Sequence, residues 1–77
     1  MDAHNAWLQQ GFTEGIFLLA GSLQEKQGGC ILANNIRLAD LQRTVAQDPF
    51  IVEKVVIAEI IEVKPGRVDE RLKFLMD

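Results

Sequence analysis

Ile16 to Leu23 is a continuous apolar run set between Gly15 and the polar stretch Gln24-Glu25-Lys26-Gln27-Gly28-Gly29. The run is shorter than a typical helix and suits a strand buried on both faces. Strand spacing turns Phe17, Leu19, Gly21 and Leu23 one way and Ile16, Leu18, Ala20 and Ser22 the other. The polar, glycine-ended stretch carries hairpin chemistry, so Cys30 to Ala33 is expected to return as an antiparallel strand. This hairpin forces the rest of the chain to supply cover for a sheet.

Two helical patterns flank it. His4, Trp7, Leu8, Gly11 and Phe12 recur at one-face helical spacing, which places the chain's one histidine on an apolar helix face near the helix start. Asn34-Asn35 offers turn and capping chemistry, and Leu38, Leu41, Val45 and Ala46 mark a second helix to about Gln47. Pro49 biases Asp48 toward extended geometry, so that helix is expected to stop there. Val55 to Val63 is rich in β-branched residues and reads as a third strand closed by Pro65-Gly66. Residues 66–77 carry Val68, Leu72, Leu75 and Met76 at helical spacing and read as a helical tail in need of a docking surface. The order is helix, strand, strand, helix, strand and tail, in a single domain spanning 1–77.

At 77 residues, one core only marginally offsets chain entropy, so oligomerisation is the expected supplement. Both faces of the first and third strands are apolar and two helices are too few to cover them, which predicts a sheet-face interface with another copy. A single cysteine, Cys30, excludes an intramolecular disulfide, and with one histidine no Cys/His zinc pattern can form. A reducing, cytoplasmic setting fits. No basic region precedes an apolar leader, and no apolar stretch approaches the roughly 20 residues that span a bilayer. Eight basic against eleven acidic residues give a net charge of -3, and the basic groups are dispersed, which argues against nucleic acid as partner.

The residues able to carry chemistry are few. An imidazole and a carboxylate form the smallest pair that moves protons near neutral pH, since the carboxylate selects the ring tautomer and raises ring basicity. His4 and Asp48 are the candidates for catalysis. Each also has a plainer role, as a packed helix-face histidine and as a turn-making aspartate. Ser22 is a candidate ligand contact or a tolerated strand-end serine, and Trp7 and Phe50 would wall an apolar pocket or fill the core. Cys30, with no nearby basic residue, reads as a buried, inert thiol. Gly28-Gly29 reads as a turn and not a phosphate loop. Glu59 shares a strand face with Val55, Ile57, Ile61 and Val63, where it would protect an edge, point into a cleft or pair across an interface; Glu62 lies on the opposite face.

Ala3-His4-Asn5-Ala6-Trp7-Leu8, Leu19-Ala20-Gly21-Ser22, Gly28-Gly29-Cys30-Ile31-Leu32-Ala33 and Asp48-Pro49-Phe50 before an Ile/Val-rich segment together resemble the YciI-like (YCII-related) domain over residues 1–65. The resemblance implies an α+β, ferredoxin-like fold, here αββαβ or βαββαβ without its first strand, with an antiparallel sheet and helices on one face. It also implies dimerisation through the sheet, as in dimeric α/β barrels, and an active-site cleft at His4 and Asp48. The chain departs from that pattern in three places. Family members begin with an apolar strand that would be central in the sheet, whereas Met1 here lies at the first helix. A chain of this form is expected to close its sheet differently, borrow a strand or be part of a longer product. Gly21-Ser22 stands where Gly-Pro is common, and Lys54 stands where a glycine usually follows the Asp-Pro-Phe segment.

Two functions fit these readings. One is a small cofactor-free enzyme in which His4 is general base or acid and Asp48 orients it, acting on a small organic substrate such as a cyclic acid or phenol. The other is a non-catalytic homodimeric module that binds a small ligand or serves as a subunit.

Overall fold

The computed structural model describes all residues except Met1, Gln27 and Asp77, and omits the Lys26 side chain. These three positions, assigned from sequence to the helix start, the hairpin connection and the tail, lie outside the described residues. The chain is a small α+β unit: α1 (Asp2–Thr13), β1 (Phe17–Ser22), β2 (Gly29–Ala33), α2 (Leu38–Ala46) and α3 (Pro49–Val52), with 3-10 turns at Gln24–Lys26 and Glu70–Met76.

Helix α1 forms where the sequence predicts it, with Asp2 in its first turn, where a carboxylate complements the positive end of the helix dipole. Its end is specified chemically. Gly15 adopts φ +77°, donates its N–H to Phe12 O at 3.0 Å, and lets Ile16 N–H reach Gly11 O at 3.0 Å. This paired arrangement closes the helix C-terminus and needs a residue at ease in the left-handed region. The chain therefore turns directly into β1 and brings Phe17 back against the α1 face.

Phe17 is the anchor of that contact. It is 3% exposed, the one buried hydrophobic side chain among the described residues. Trp7 meets it edge-on at 5.2 Å between ring centroids and Phe12 at 6.1 Å. Gly11 is buried beneath it, and a Cβ added there would overlap Cγ, Cδ2 and Cε2 of the Phe17 ring. Gly11 is thus a space requirement inside a helix that otherwise disfavours glycine.

The two strands pair antiparallel as the sequence predicts, from Phe17 opposite Ala33 to Ser22 opposite Gly29, with a register shift between Phe17 and Leu19. The extra residue at Leu18 breaks the regular alternation read from the sequence, because a bulge resets which face each side chain takes. Gly28, at φ +110°, accepts from Leu23 N–H at 2.7 Å and closes the connection. Burial on both faces is not realised: Leu18, Leu19, Leu23, Ile31 and Leu32 are all exposed.

Helix α2 begins after Arg37, which makes no side-chain cap. The capping expected from Asn34-Asn35 is therefore replaced by a turn in which Asn35 takes φ +62°, a region that asparagine tolerates. At the other end, Pro49 stops α2 as expected but also starts α3 as its first residue, with Asp48 as cap. Asp-Pro before apolar residues is a helix-start signal too, and α3 is an element that the hydrophobic period alone does not predict. It ends with the same paired bonds as α1, Lys54 N–H to Ile51 O at 3.0 Å and Val55 N–H to Phe50 O at 2.8 Å. The left-handed position is filled by Lys54 at φ +60°, where a side chain costs about 1 kcal/mol.

The predicted third strand does not form. Val55 to Val63 is without sheet pairing and largely exposed, with Ile57 at 97% and Ile61 and Val63 at 75%. β-propensity reflects fit to a pleated, half-buried surface, and this segment has no neighbouring strand within its own chain. The tail is likewise a 3-10 run, interrupted at Leu72, instead of an α-helix. Asp69 opens it by accepting from Arg71 N–H at 2.8 Å and Nε at 3.0 Å. Those side-chain and backbone bonds hold the Asp69 carboxyl below its usual range.

Two substitutions test these local arguments by urea denaturation. Gly11→Ala is expected to lower stability by about 1–3 kcal/mol, because overpacking against Phe17 outweighs the helix-propensity gain. Lys54→Gly is expected to raise it by about 0.5–1 kcal/mol, because glycine relieves the left-handed strain. Opposite signs from the usual effects of these exchanges would be the signature.

Candidate functional site

The turn between α2 and α3 builds one half of the site. Asp48 is fixed by its own backbone, donating N–H to Val45 O at 3.0 Å and accepting at its carbonyl from Ile51 N–H at 2.8 Å and Val52 N–H at 2.9 Å. Its Oδ1 accepts the Phe50 N–H at 3.0 Å, which is helix N-capping by aspartate. Asp48 is thus a turn-making aspartate, as its residue type predicts.

The first turn of α1 supplies the other half. His4 Nδ1 lies 2.7 Å from the same Oδ1, across 44 positions of chain. Asp48 is buried, and the His4 side chain is 19% exposed. Phe50, placed by the capped turn, stacks almost parallel on the imidazole at 3.9 Å between centroids and 9° between planes. Trp7, one helical turn beyond His4, lies 5.9 Å from it at 27°. Its Nε1–H donates to Thr44 O at 3.1 Å, a carbonyl at the α2 terminus that also accepts the Gln47 N–H at 3.1 Å and takes Trp7 as a second donor. Trp7 therefore ties α1 to α2 while Asp48 ties α1 to α3.

An ionised carboxylate has only acceptor atoms, so the short contact assigns the proton to His4 Nδ1. Nε2 is then the ring position that takes or gives a proton. It has no hydrogen-bond partner among the described residues, and no side-chain nitrogen or oxygen among them is both sealed from solvent and unpartnered. The free nitrogen of the pair is thus not sealed from solvent. Geometry of this kind orients a general base or acid.

The remaining sequence candidates divide into those beside the pair and those away from it. Trp7 and Phe50 both join it, as ring neighbours of the imidazole instead of walls of a cavity. Ser22 sits at the far end of β1, exposed and opposite Gly29, roughly 16 Å along the strand from Phe17 at the usual strand rise. Cys30 is exposed in β2, not buried as expected, because no layer covers that part of the hairpin. Glu59 is exposed on the unpaired segment and makes no ion pair among the described residues, so the inward edge charge read from its strand face is not realised. The Thr44 carbonyl escaped sequence reading, since a backbone acceptor leaves no mark in the residue type.

Two shallow concavities lie elsewhere. One is bounded by α2, α3 and the start of the unpaired segment, including Val45, Ile51, Lys54 and Ile57. The other lies between Leu18, Ile36, Arg37 and Phe74. Neither includes His4 or Asp48.

Comparison of the chain with protein-family models, with curated proteins and with solved structures finds no match in any of the three. Among the described residues no helix is long and apolar enough to cross a membrane.

The tautomer argument is open to direct test by long-range 1H–15N NMR of the imidazole. Wild-type protein near neutral pH is expected to show a pyrrole-like Nδ1. In Asp48→Asn that preference is expected to weaken, because an amide offers either a donor or an acceptor to the ring. An Nε2-protonated ring in the wild type would contradict the geometry.

Proposed function

We propose that this chain is a YciI-like module of ferredoxin-like design that dimerises through its sheet and performs general acid/base chemistry, without a cofactor, on a small organic substrate. The 2.7 Å contact between His4 Nδ1 and Asp48 Oδ1 carries the reading. Proton abstraction with isomerisation or elimination requires a base of fixed orientation, and Nε2 of a carboxylate-bound histidine offers one. The flat stack of Phe50 on His4 supports a planar or cyclic substrate, since an aromatic surface already borders the reacting nitrogen.

Two features support the family resemblance. Lys54 takes the left-handed conformation at the position where the family's glycine stands, so the backbone there has the shape that glycine serves. The element order α1, β1, β2, α2 is the helix, strand, strand, helix order of that fold.

A non-catalytic homodimeric module is the second reading. It is favoured by the exposed, unpaired Val55–Val63 segment, an apolar strand sequence that a partner could cover.

The test is α-proton exchange in D2O, followed by proton NMR on a panel of small cyclic keto acids and phenolic acids. The enzyme reading predicts exchange above the buffer rate, reduced at least about 100-fold in His4→Gln and reduced to a smaller degree in Asp48→Asn. Exchange equal to buffer across the panel, or full activity in His4→Gln, removes the catalytic reading and leaves the module.

A further inference from the structure

The chain exposes far more surface than its mass warrants. Its accessible area is 6590 Å², against about 4700 Å² expected for a folded monomer of this size. The radius of gyration is 13.2 Å, against roughly 11.5 Å expected. Much of the exposed apolar surface lies on Val55–Val63 and on the β1–β2 hairpin.

Beyond Val56 the backbone of this segment is as unpaired as its side chains are exposed. After Val56, whose N–H meets Phe50 O at 3.3 Å, no described residue makes a backbone–backbone hydrogen bond until Leu72 donates to Asp69 O. At strand spacing Val55, Ile57, Ile61 and Val63 share one face with Glu59. The segment thus has the composition of a strand, and from Ile57 onward it lacks a ladder.

The same chain carries the matching half. A two-stranded sheet has two open edges, and the β1 edge is distorted by the shift at Leu18, a feature that hinders pairing. The β2 edge, Gly29–Ala33, is regular over its length. It is also uncharged, so Glu59 and Glu62 would meet no like charge on it.

We propose that Val55–Val63 of one copy pairs with the β2 edge of a second copy, reciprocally. Each copy offers one free strand and one free edge, so a two-fold exchange satisfies both and leaves the interface closed. The excess area supports the same partner: two copies carry about 3800 Å² beyond the monomer expectation, within the roughly 2000–5000 Å² of obligate dimers. This contact deepens the dimer of the proposed function and rests on that dimer. It does not depend on His4 chemistry.

Cys30, the native thiol of β2, makes the test direct. Ile57→Cys, Glu59→Cys and Ile61→Cys are each oxidised and run on non-reducing gels, with wild type as control for Cys30–Cys30 linkage. Directly opposed strand residues lie within disulfide reach, so at least one variant is expected to give a two-chain band well above the control. Sedimentation equilibrium of wild type at micromolar concentration is expected to give twice 8.6 kDa. Hydrogen exchange on wild type, which depends on no variant folding, is expected to show protected amides over 57–63. A single-chain mass overturns both the exchange and the dimer. A dimer with unprotected 57–63 and no crosslink overturns the exchange alone and leaves a dimer through sheet faces.

Discussion

Oδ1 of Asp48 accepts the Phe50 N–H at 3.0 Å and meets His4 Nδ1 at 2.7 Å, so the turn that starts α3 and the first turn of α1 share one atom. The capping bond sets the direction of the carboxylate, and the carboxylate sets the ring. Phe50 is then carried onto the imidazole because it is the residue whose N–H Asp48 caps. Orientation of the histidine thus comes from a local turn, while its position comes from helix α1. Charge-assisted bonds of this type are stronger than neutral ones, and here one carboxylate serves a cap and a tertiary clamp together.

The aromatic group around Phe17 makes that arrangement possible. Gly15 reverses the chain, Gly11 leaves room for the ring, and Trp7 bridges from Phe17 to Thr44. Removing room at Gly11 would therefore disturb the helix that carries His4 as well as the strand that carries Phe17. Beyond this group the apolar residues have little to bury against. A two-stranded sheet with short helices cannot enclose its own faces, and the surface excess measures that shortfall.

A part-buried imidazole and an apolar surface without cover are both features of this structure. General acid/base catalysis gains from exclusion of water, since low dielectric strengthens each polar contact with substrate. A second copy seated against the hairpin would complete the sheet. The proposed chemistry at Nε2 and the proposed assembly at β2 are separable, because the His4–Asp48 bond lies within one chain.

Much of the layout was legible in residue type. Helix α1, the hairpin and α2 follow from period, and Gly15, Gly28 and Pro49 mark their ends for steric reasons that hold in any fold. The pairing of His4 with Asp48 was legible only as a candidate. Spacing along the chain carries no distance in space, and the Gly15 reversal and the Trp7–Thr44 tie had to form first. Val55–Val63 shows the opposite limit. Its β-branched composition favours an extended chain, but strand formation belongs to the neighbour as much as to the segment. The exposure of Cys30 and Glu59 follows from the same fact. Local sterics and capping chemistry thus determined the elements of this protein, whereas tertiary structure alone decided which side chains met and which surfaces were left open, because those depend on contacts between residues far apart in sequence.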